Sequence, residues 1–212
     1  GSGITIMGYA GITSQDVTNH SIDIFHQATI AQIQANLATK TCPVTTSIAA
    51  NNATPVVAAV SNYTIPKSTP FALTGSATDA NGDALTYNWE QFDNAASTAT
   101  GASSAASATR TSGPTFRSYN SSTSPVRYFP RIQSVLTGAT TTAGTEITVE
   151  ALPSVARTMN FRLTVRDNKA GGPANNSDDM IVTVNATAGP FTVNSPNTAV
   201  SFVGGSSQSI TW

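Results

Sequence analysis

Three oxygen-bearing side chains stand at alternate positions of one short segment. Asp79, Asn81 and Asp83 flank Gly82 in the sequence Asp-Ala-Asn-Gly-Asp. Side-chain oxygens at alternate positions can converge on one cation, and calcium takes about six to eight such ligands. Asp167, at the end of a later predicted strand, is the best candidate for a further ligand. The same residue types also make an ordinary hydrogen-bonded turn, so a calcium site and a plain turn both stay open.

The two histidines of the chain, His20 and His26, are six positions apart. An α-helix turns once in about 3.6 residues, so this spacing does not place both on one helical face. We therefore expect both to be structural or surface residues. The sequence has neither an HExxH zinc motif nor a GxSxG serine elbow. Hydrolysis by either motif is excluded for this chain by itself, since zinc chemistry needs ligands and a base at fixed helical spacing.

The first eleven residues form a glycine-rich string, Gly-Ser-Gly-Ile-Thr-Ile-Met-Gly-Tyr-Ala-Gly. It resembles the Met-turn segment of secreted bacterial reprolysin-like (metzincin) zinc metallopeptidases. The stretch Ile24–Ile33 looks like the last helix of the same catalytic domain. The resemblance implies that Met7 is the Met-turn methionine and that zinc, with its HExxHxxGxxH histidines, belongs to a catalytic domain upstream of this chain. That domain is the implied partner, and the chain itself is implied to be no enzyme.

A second pair of strings, Phe71–Asp79 and Leu85–Glu90, resembles PKD-type or related immunoglobulin-like modules. The resemblance covers about residues 63–91 and again about 161–184. Such modules are common behind secreted bacterial hydrolases. The resemblance therefore implies a secreted or cell-surface bacterial protein.

Aromatic residues and arginines are mixed in one segment between Gly113 and Leu136. Its members are Phe116, Arg117, Tyr119, Arg127, Tyr128, Phe129 and Arg131. Such a cluster can bind sugar or peptide, and it can also stack and pair with acids inside a fold, which is the commoner use. Both interpretations stay open.

Apolar and polar residues alternate in four stretches between residues 55 and 186. The stretches are Phe71–Ser76, Leu85–Glu90, Met159–Arg166 and Asp179–Val184. Strict alternation predicts strands with one buried and one wet face. Trp89 on a middle strand is typical of immunoglobulin-like sandwiches. We predict a mainly β fold: an immunoglobulin-like (PKD-type) antiparallel β-sandwich with a long insertion and a short N-terminal helical remnant.

The helix is predicted over Ile22–Leu37, where apolar residues recur near the helical period. Ser21 and Asp23 are credible start signals. Large exposed apolar patches are uncommon, so we expect the apolar face of this helix to pack on the sandwich or on a second copy of the chain.

These patterns divide the chain into four zones. Residues 1–40 are predicted to be the C-terminal remnant of the catalytic domain, and residues 41–54 a linker. Residues 55–187 form the sandwich, with an ordered insertion at about 92–157. Residues 188–212 start a further, truncated β-domain.

Composition limits the partners. Charged residues are 10% of the chain, the formal net charge is −1, and there is no basic run, so nucleic acid and anionic membrane are poor partners.

No apolar run reaches the roughly 18 residues of a spanning helix, and a signal peptide, if the protein is exported, would lie upstream of Gly1. The single cysteine, Cys42, is either a free thiol or half of a disulfide with a partner outside the chain.

Two functional hypotheses follow. The first is a non-catalytic accessory region of a secreted zinc metallopeptidase, acting as spacer, substrate-positioning or stabilising module, with calcium as its candidate cofactor. The alternative is an extracellular adhesion module that binds protein or polysaccharide through Arg127 and Tyr128.

Overall fold

The computed structural model describes residues 3–212, so Gly1 and Ser2 of the Met-turn-like string lie outside the described residues. The strands are β1 (Val56–Val57), β2 (Tyr63–Pro66), β3 (Phe71–Thr74), β4 (Ala77–Thr78), β5 (Thr86–Gln91), β6 (Val126–Phe129), β7 (Thr141–Ala143), β8 (Thr148–Ala151), β9 (Arg157–Arg166) and β10 (Asn175–Asn185). The α-helices are α1 (Gln27–Ala38) and α2 (Ile132–Leu136). The prediction of a mainly β chain is confirmed.

Four strands form the largest sheet, in the order β2-β10-β9-β5. The long strands β9 and β10 are antiparallel, and β5 is antiparallel to β9 on its other side. At the far edge, however, β2 runs parallel to β10, with Tyr63 opposite Val182. The prediction of a purely antiparallel sandwich is therefore wrong here. A long connection rather than a hairpin joins these two strands, so no turn imposes the antiparallel direction.

The main core lies between this sheet and the two-stranded pair β3–β6. Its buried members from β9 and β10 are Met159, Phe161, Leu163, Val165, Met180, Val182 and Val184. Four phenylalanine rings, Phe71, Phe116, Phe129 and Phe161, have centroids 4.9–6.2 Å apart. The alternation predicted for β9 and β10 is confirmed, and the packing of two sheets gives a sandwich-like arrangement.

Strand β5 departs from its predicted alternation. Asn88, Glu90 and Gln91 are buried although the pattern places Asn88 and Glu90 on the wet face. Residues 115–119 and the start of α1 cover that face, and their polar groups bond to these side chains. Burial of polar side chains is tolerated because each finds a partner there.

Helix α1 starts five residues later than predicted. The backbone of Ile22 donates to Ile4, and Ile6 donates to Ile24, so residues 22–24, which include a bend, are held against the chain's beginning. His26, rather than Ser21 or Asp23, is the N-cap. Only the first turn docks, since Ile33 and Leu37 are 43% and 54% exposed. The whole apolar face therefore does not pack on the sandwich, and packing of its exposed part on a second copy of the chain stays a prediction.

The segment 92–157 contributes directly to the sheets. β6 pairs with β3, while β7 and β8 form a separate antiparallel pair. Val149 of β8 packs with Ile4 and Val17 in a second, small cluster. The N-terminal residues are thus packed on this segment.

The C-terminal residues form less regular structure than predicted. Residues 188–212 are predicted to start a further β-domain, but the described structure has there only an isolated bridge between Ser195 and Thr211. Among residues 3–212, no helix is long and apolar enough to cross a membrane.

Candidate functional site

The turn predicted to bind calcium is held by its own backbone. The Asp79 carboxylate accepts hydrogen bonds from the backbone N–H groups of Asn81 and Asp83, at 2.8 and 3.2 Å. The Asn81 side-chain oxygen accepts from the Ala53 N–H at 2.6 Å. Gly82 adopts a φ of 72°, in the left-handed region that glycine tolerates best. These side chains tie the turn to the segment before β1.

Asp83 and Asp167 are engaged by other protein groups. The Lys169 ammonium lies 2.9 Å from an Asp83 carboxylate oxygen. Asp167 accepts from the Asn52 amide at 2.6 Å and from the backbone N–H groups of Ala174 and Lys169, at 2.9 and 3.2 Å. The loop after β9 is thereby joined both to Asn52 and to the turn at Asp83.

The fit to calcium depends on whether these oxygens can converge. Among residues 3–212, no three His, Cys, Asp or Glu side chains are grouped as a metal ion requires. One oxygen of Asp79 and the side-chain oxygen of Asn52 lack a protein partner in this part of the chain. Calcium binding stays a prediction, and it would require the Lys169 ammonium to leave Asp83.

Acid is expected to destabilise the protein partly through Asp167. Burial raises the pKa of Asp167, but hydrogen bonds from Ala174, Asn52 and Lys169 outweigh it and hold the pKa below its ordinary value. A depressed folded-state pKa contributes stability above the unfolded value of about 3.9, and that contribution is lost as pH falls through the folded value. Urea unfolding of Asp167→Asn should therefore show lower stability at pH 7 and a shallower fall below about pH 4. Asp23 is exposed, so Asp23→Asn is the control and should keep the wild-type dependence of unfolding free energy on pH. The same dependence in Asp167→Asn would contradict a stabilising role for the Asp167 carboxylate.

Met7 lies on a tight turn. Residues Ile6–Gly8 form a 3-10 turn, followed by Tyr9 with a φ of 51°. The backbones of Gly3 and Gly8 approach so closely that a Cβ on Gly8 would lie 2.6 Å from the Gly3 carbonyl carbon. The Met7 side chain is 52% exposed. The glycines thus allow the chain to fold back and present the methionine outward.

The buried carboxylate of Glu90, which the sequence pattern did not predict, connects helix α1 to strand β5 by hydrogen bonds. Glu90 is fully buried on β5; it accepts from the Gln27 N–H at 2.9 Å and from the Ser118 hydroxyl at 2.6 Å. A negative charge at the start of a helix is favourable because the first N–H groups point at it.

His26 Nδ1 accepts from the Ala28 N–H, while Nε2 lies 3.2 Å from the Gln91 carbonyl and so carries the proton. His26 is therefore a structural residue, as predicted. His20 makes none of these contacts.

A second fastening joins the N-terminal residues to the β7–β8 pair. The Glu146 carboxylate accepts from the Asp16 N–H, and the Thr145 N–H donates to the Val17 carbonyl. Ile4 and Val17 pack beside it on Val149. The N-terminal segment therefore contacts both the sheet and the hairpin.

The arginine–aromatic segment is organised by another buried carboxylate, Glu150. Its oxygens accept from Arg127 at 3.0 Å, Tyr119 at 2.9 Å, Thr142 at 2.8 Å and the Arg131 N–H at 3.0 Å. Burial lowers the pKa of Arg127, and the nearby Glu150 charge opposes that shift. Burial and the same carboxylate raise the pKa of Tyr119. The network keeps Arg127 charged and Tyr119 neutral.

Arg127 is therefore a scaffold residue. Its guanidinium also donates to the carbonyls of Trp89 and Arg117 and lies 4.7 Å from the Tyr119 ring centroid. These contacts occupy both terminal nitrogens of Arg127, while its Nε has no protein partner among residues 3–212. Direct binding of polysaccharide or protein by Arg127 stays a prediction. Tyr128, the other residue of that expectation, is 45% exposed.

A cleft of about 370 Å³ borders this network, between β5 and the β6–α2 segment. Its side chains include Tyr87, Tyr119, Tyr128, Asn120, Arg131 and Gln133. Ligand clefts of this size are commonly lined by aromatic rings with a few polar groups. The sequence signal for it was the mixed aromatic and arginine composition of residues 113–136.

Comparison with known proteins found no match. No family model, no curated protein and no solved structure matches the chain.

Proposed function

We propose that this chain is a non-catalytic accessory region of a secreted zinc metallopeptidase, built on an immunoglobulin-like (PKD-type) β-sandwich. Its role is to hold the end of the upstream catalytic domain in a fixed position on the sandwich. Zinc and catalysis belong to that upstream domain, and the protein acts outside the cell.

The observation that carries the proposal is that two long-range contacts hold the residues just after the Met-turn-like string, one at Asp16 and one at Gln27. Glu90 accepts from the Gln27 N–H at the start of α1, 63 residues away in sequence, and Glu146 accepts from the Asp16 N–H, 130 residues away. A flexible tether would need neither the buried Glu90 carboxylate nor the contact of the exposed Glu146 carboxylate with the Asp16 backbone. The outward-facing Met7 lies on the string just before these contacts, where a preceding domain would meet it.

The coding sequence upstream of Gly1 gives the first test. An in-frame HExxHxxGxxH motif, placed before the Met-turn-like string, is the expected result. An upstream reading frame that lacks this motif would overturn the metallopeptidase proposal.

Activity of the purified chain gives the second test. Incubated with zinc and casein, the chain should release no more peptide than a blank, because the zinc ligands and general base lie elsewhere. The matched positive control is the upstream domain joined to this chain. Cleavage by the chain alone, abolished by a zinc chelator, would contradict the proposal.

A further inference from the structure

The cleft between β5 and the β6–α2 segment has one uncompensated charge. Among the described residues that line it there are two arginines and no acid. Arg127 is neutralised by the buried Glu150. Arg131 is exposed, and no ion-pair partner for its guanidinium is present in residues 3–212. The cleft is therefore complementary to an anionic ligand.

The remaining lining groups suit a ligand with one apolar face and many hydroxyls. Tyr87 and Tyr128 supply ring surface, and rings of this type combine an apolar body with a polar end. The side-chain amides of Asn120 and Gln133 each offer donors and an acceptor. Within residues 3–212 neither amide has a hydrogen-bond partner, so both are available to a ligand.

On the β5 side of the cleft, the backbone is already paired. β5 bonds to β9 along one edge, and on its other edge Tyr87 exchanges two backbone hydrogen bonds with Ser122, at 2.7 and 2.9 Å. β6 is paired with β3 along one edge, in a two-stranded sheet. An extended peptide that adds to a sheet needs a row of unpaired backbone groups. The β5 side of the cleft offers side chains instead, which favours a saccharide there.

We propose that this cleft binds an acidic saccharide, a uronic-acid oligomer, with Tyr128 under the sugar face and Arg131 on the carboxylate. Guanidinium and carboxylate form paired, charge-assisted hydrogen bonds, which a neutral sugar cannot make. The inference is independent of the metallopeptidase proposal, because it concerns the sandwich alone.

Calorimetric titration of the full chain with trigalacturonate, and with its methyl ester as the neutral probe, tests this directly. We expect the acid to bind at least about tenfold more tightly than the ester, as the loss of a charge-assisted bond predicts. Arg131→Gln should weaken acid binding by about the same factor and abolish the preference over the ester. Tyr128→Ala should weaken both probes.

Tyr63→Ala is the matched control, because Tyr63 is 54% exposed on β2 and does not line the cleft. Its affinity should stay within about twofold of wild type. Thermal melts of each variant separate lost binding from lost folding. No binding of trigalacturonate, equal binding of acid and ester, an unchanged Arg131→Gln affinity, or tighter binding of tetraglutamate would each overturn the proposal.

Discussion

Glu150→Ala is expected to lower the free energy of unfolding by about 3–5 kcal/mol. The carboxylate is fully buried and accepts from Arg127, Tyr119, Thr142 and the Arg131 backbone. Its removal leaves the Arg127 charge uncompensated away from water. Losing one partner of a buried pair costs more than replacing both with apolar groups, because the remaining charge must still be desolvated.

Urea unfolding followed by tryptophan fluorescence measures the change. The matched control is Asp179→Ala, which breaks the half-exposed pair with Arg162 and should cost less than about 1 kcal/mol. The double variant Arg127→Met with Glu150→Leu should recover part of the loss. Equal destabilisation by Glu150→Ala and Asp179→Ala would show that the buried network is not a main support of the fold.

Glu90→Ala is expected to release the N-terminal segment and to cost about 3 kcal/mol, since two buried donors lose their acceptor and a cavity forms on β5. The donors are the Gln27 N–H and the Ser118 hydroxyl. Glu90→Gln keeps the volume and one acceptor oxygen, so its loss should be smaller. The effect should be local as well as global, because Glu90 joins α1 to the sheet.

Hydrogen exchange of the backbone amides separates the local from the global effect. In Glu90→Ala, amides of the first turn of α1 should exchange faster than in wild type under native conditions, while those of β9 and β10 should follow the global stability. Glu146→Ala is a second local probe, which removes the acceptor of the Asp16 N–H and should loosen residues 16–17 while leaving α1 protected. Unchanged exchange of α1 in Glu90→Ala would remove the main support for a fixed N-terminal segment.

The most predictable parts of the fold were the strands in which buried and exposed side chains alternate regularly. The period-two pattern of residues 159–166 and 180–184 identified β9 and β10, because a strand places alternate side chains on opposite faces. The same rule failed on β5, where Asn88 and Glu90 were assigned to water. Local alternation contains no information about which distant segment covers a face.

The start of α1 shows a similar limit. Ser21 and Asp23 have good capping chemistry, but backbone hydrogen bonds hold the bend within residues 22–24 against Ile4 and Ile6 instead. The helix begins where Glu90 meets the Gln27 N–H. A long-range acceptor therefore decided the boundary that local propensity left open.

The sequence by itself determined the mainly β class, the buried faces of the two longest strands and the residues of the Asp79–Asp83 turn, because these depend on spacing and on local backbone chemistry. Only the tertiary structure decided the roles of Glu90, Glu150 and Arg127. Each meets partners from segments far apart in the chain, and a buried charge is tolerated only where those partners converge.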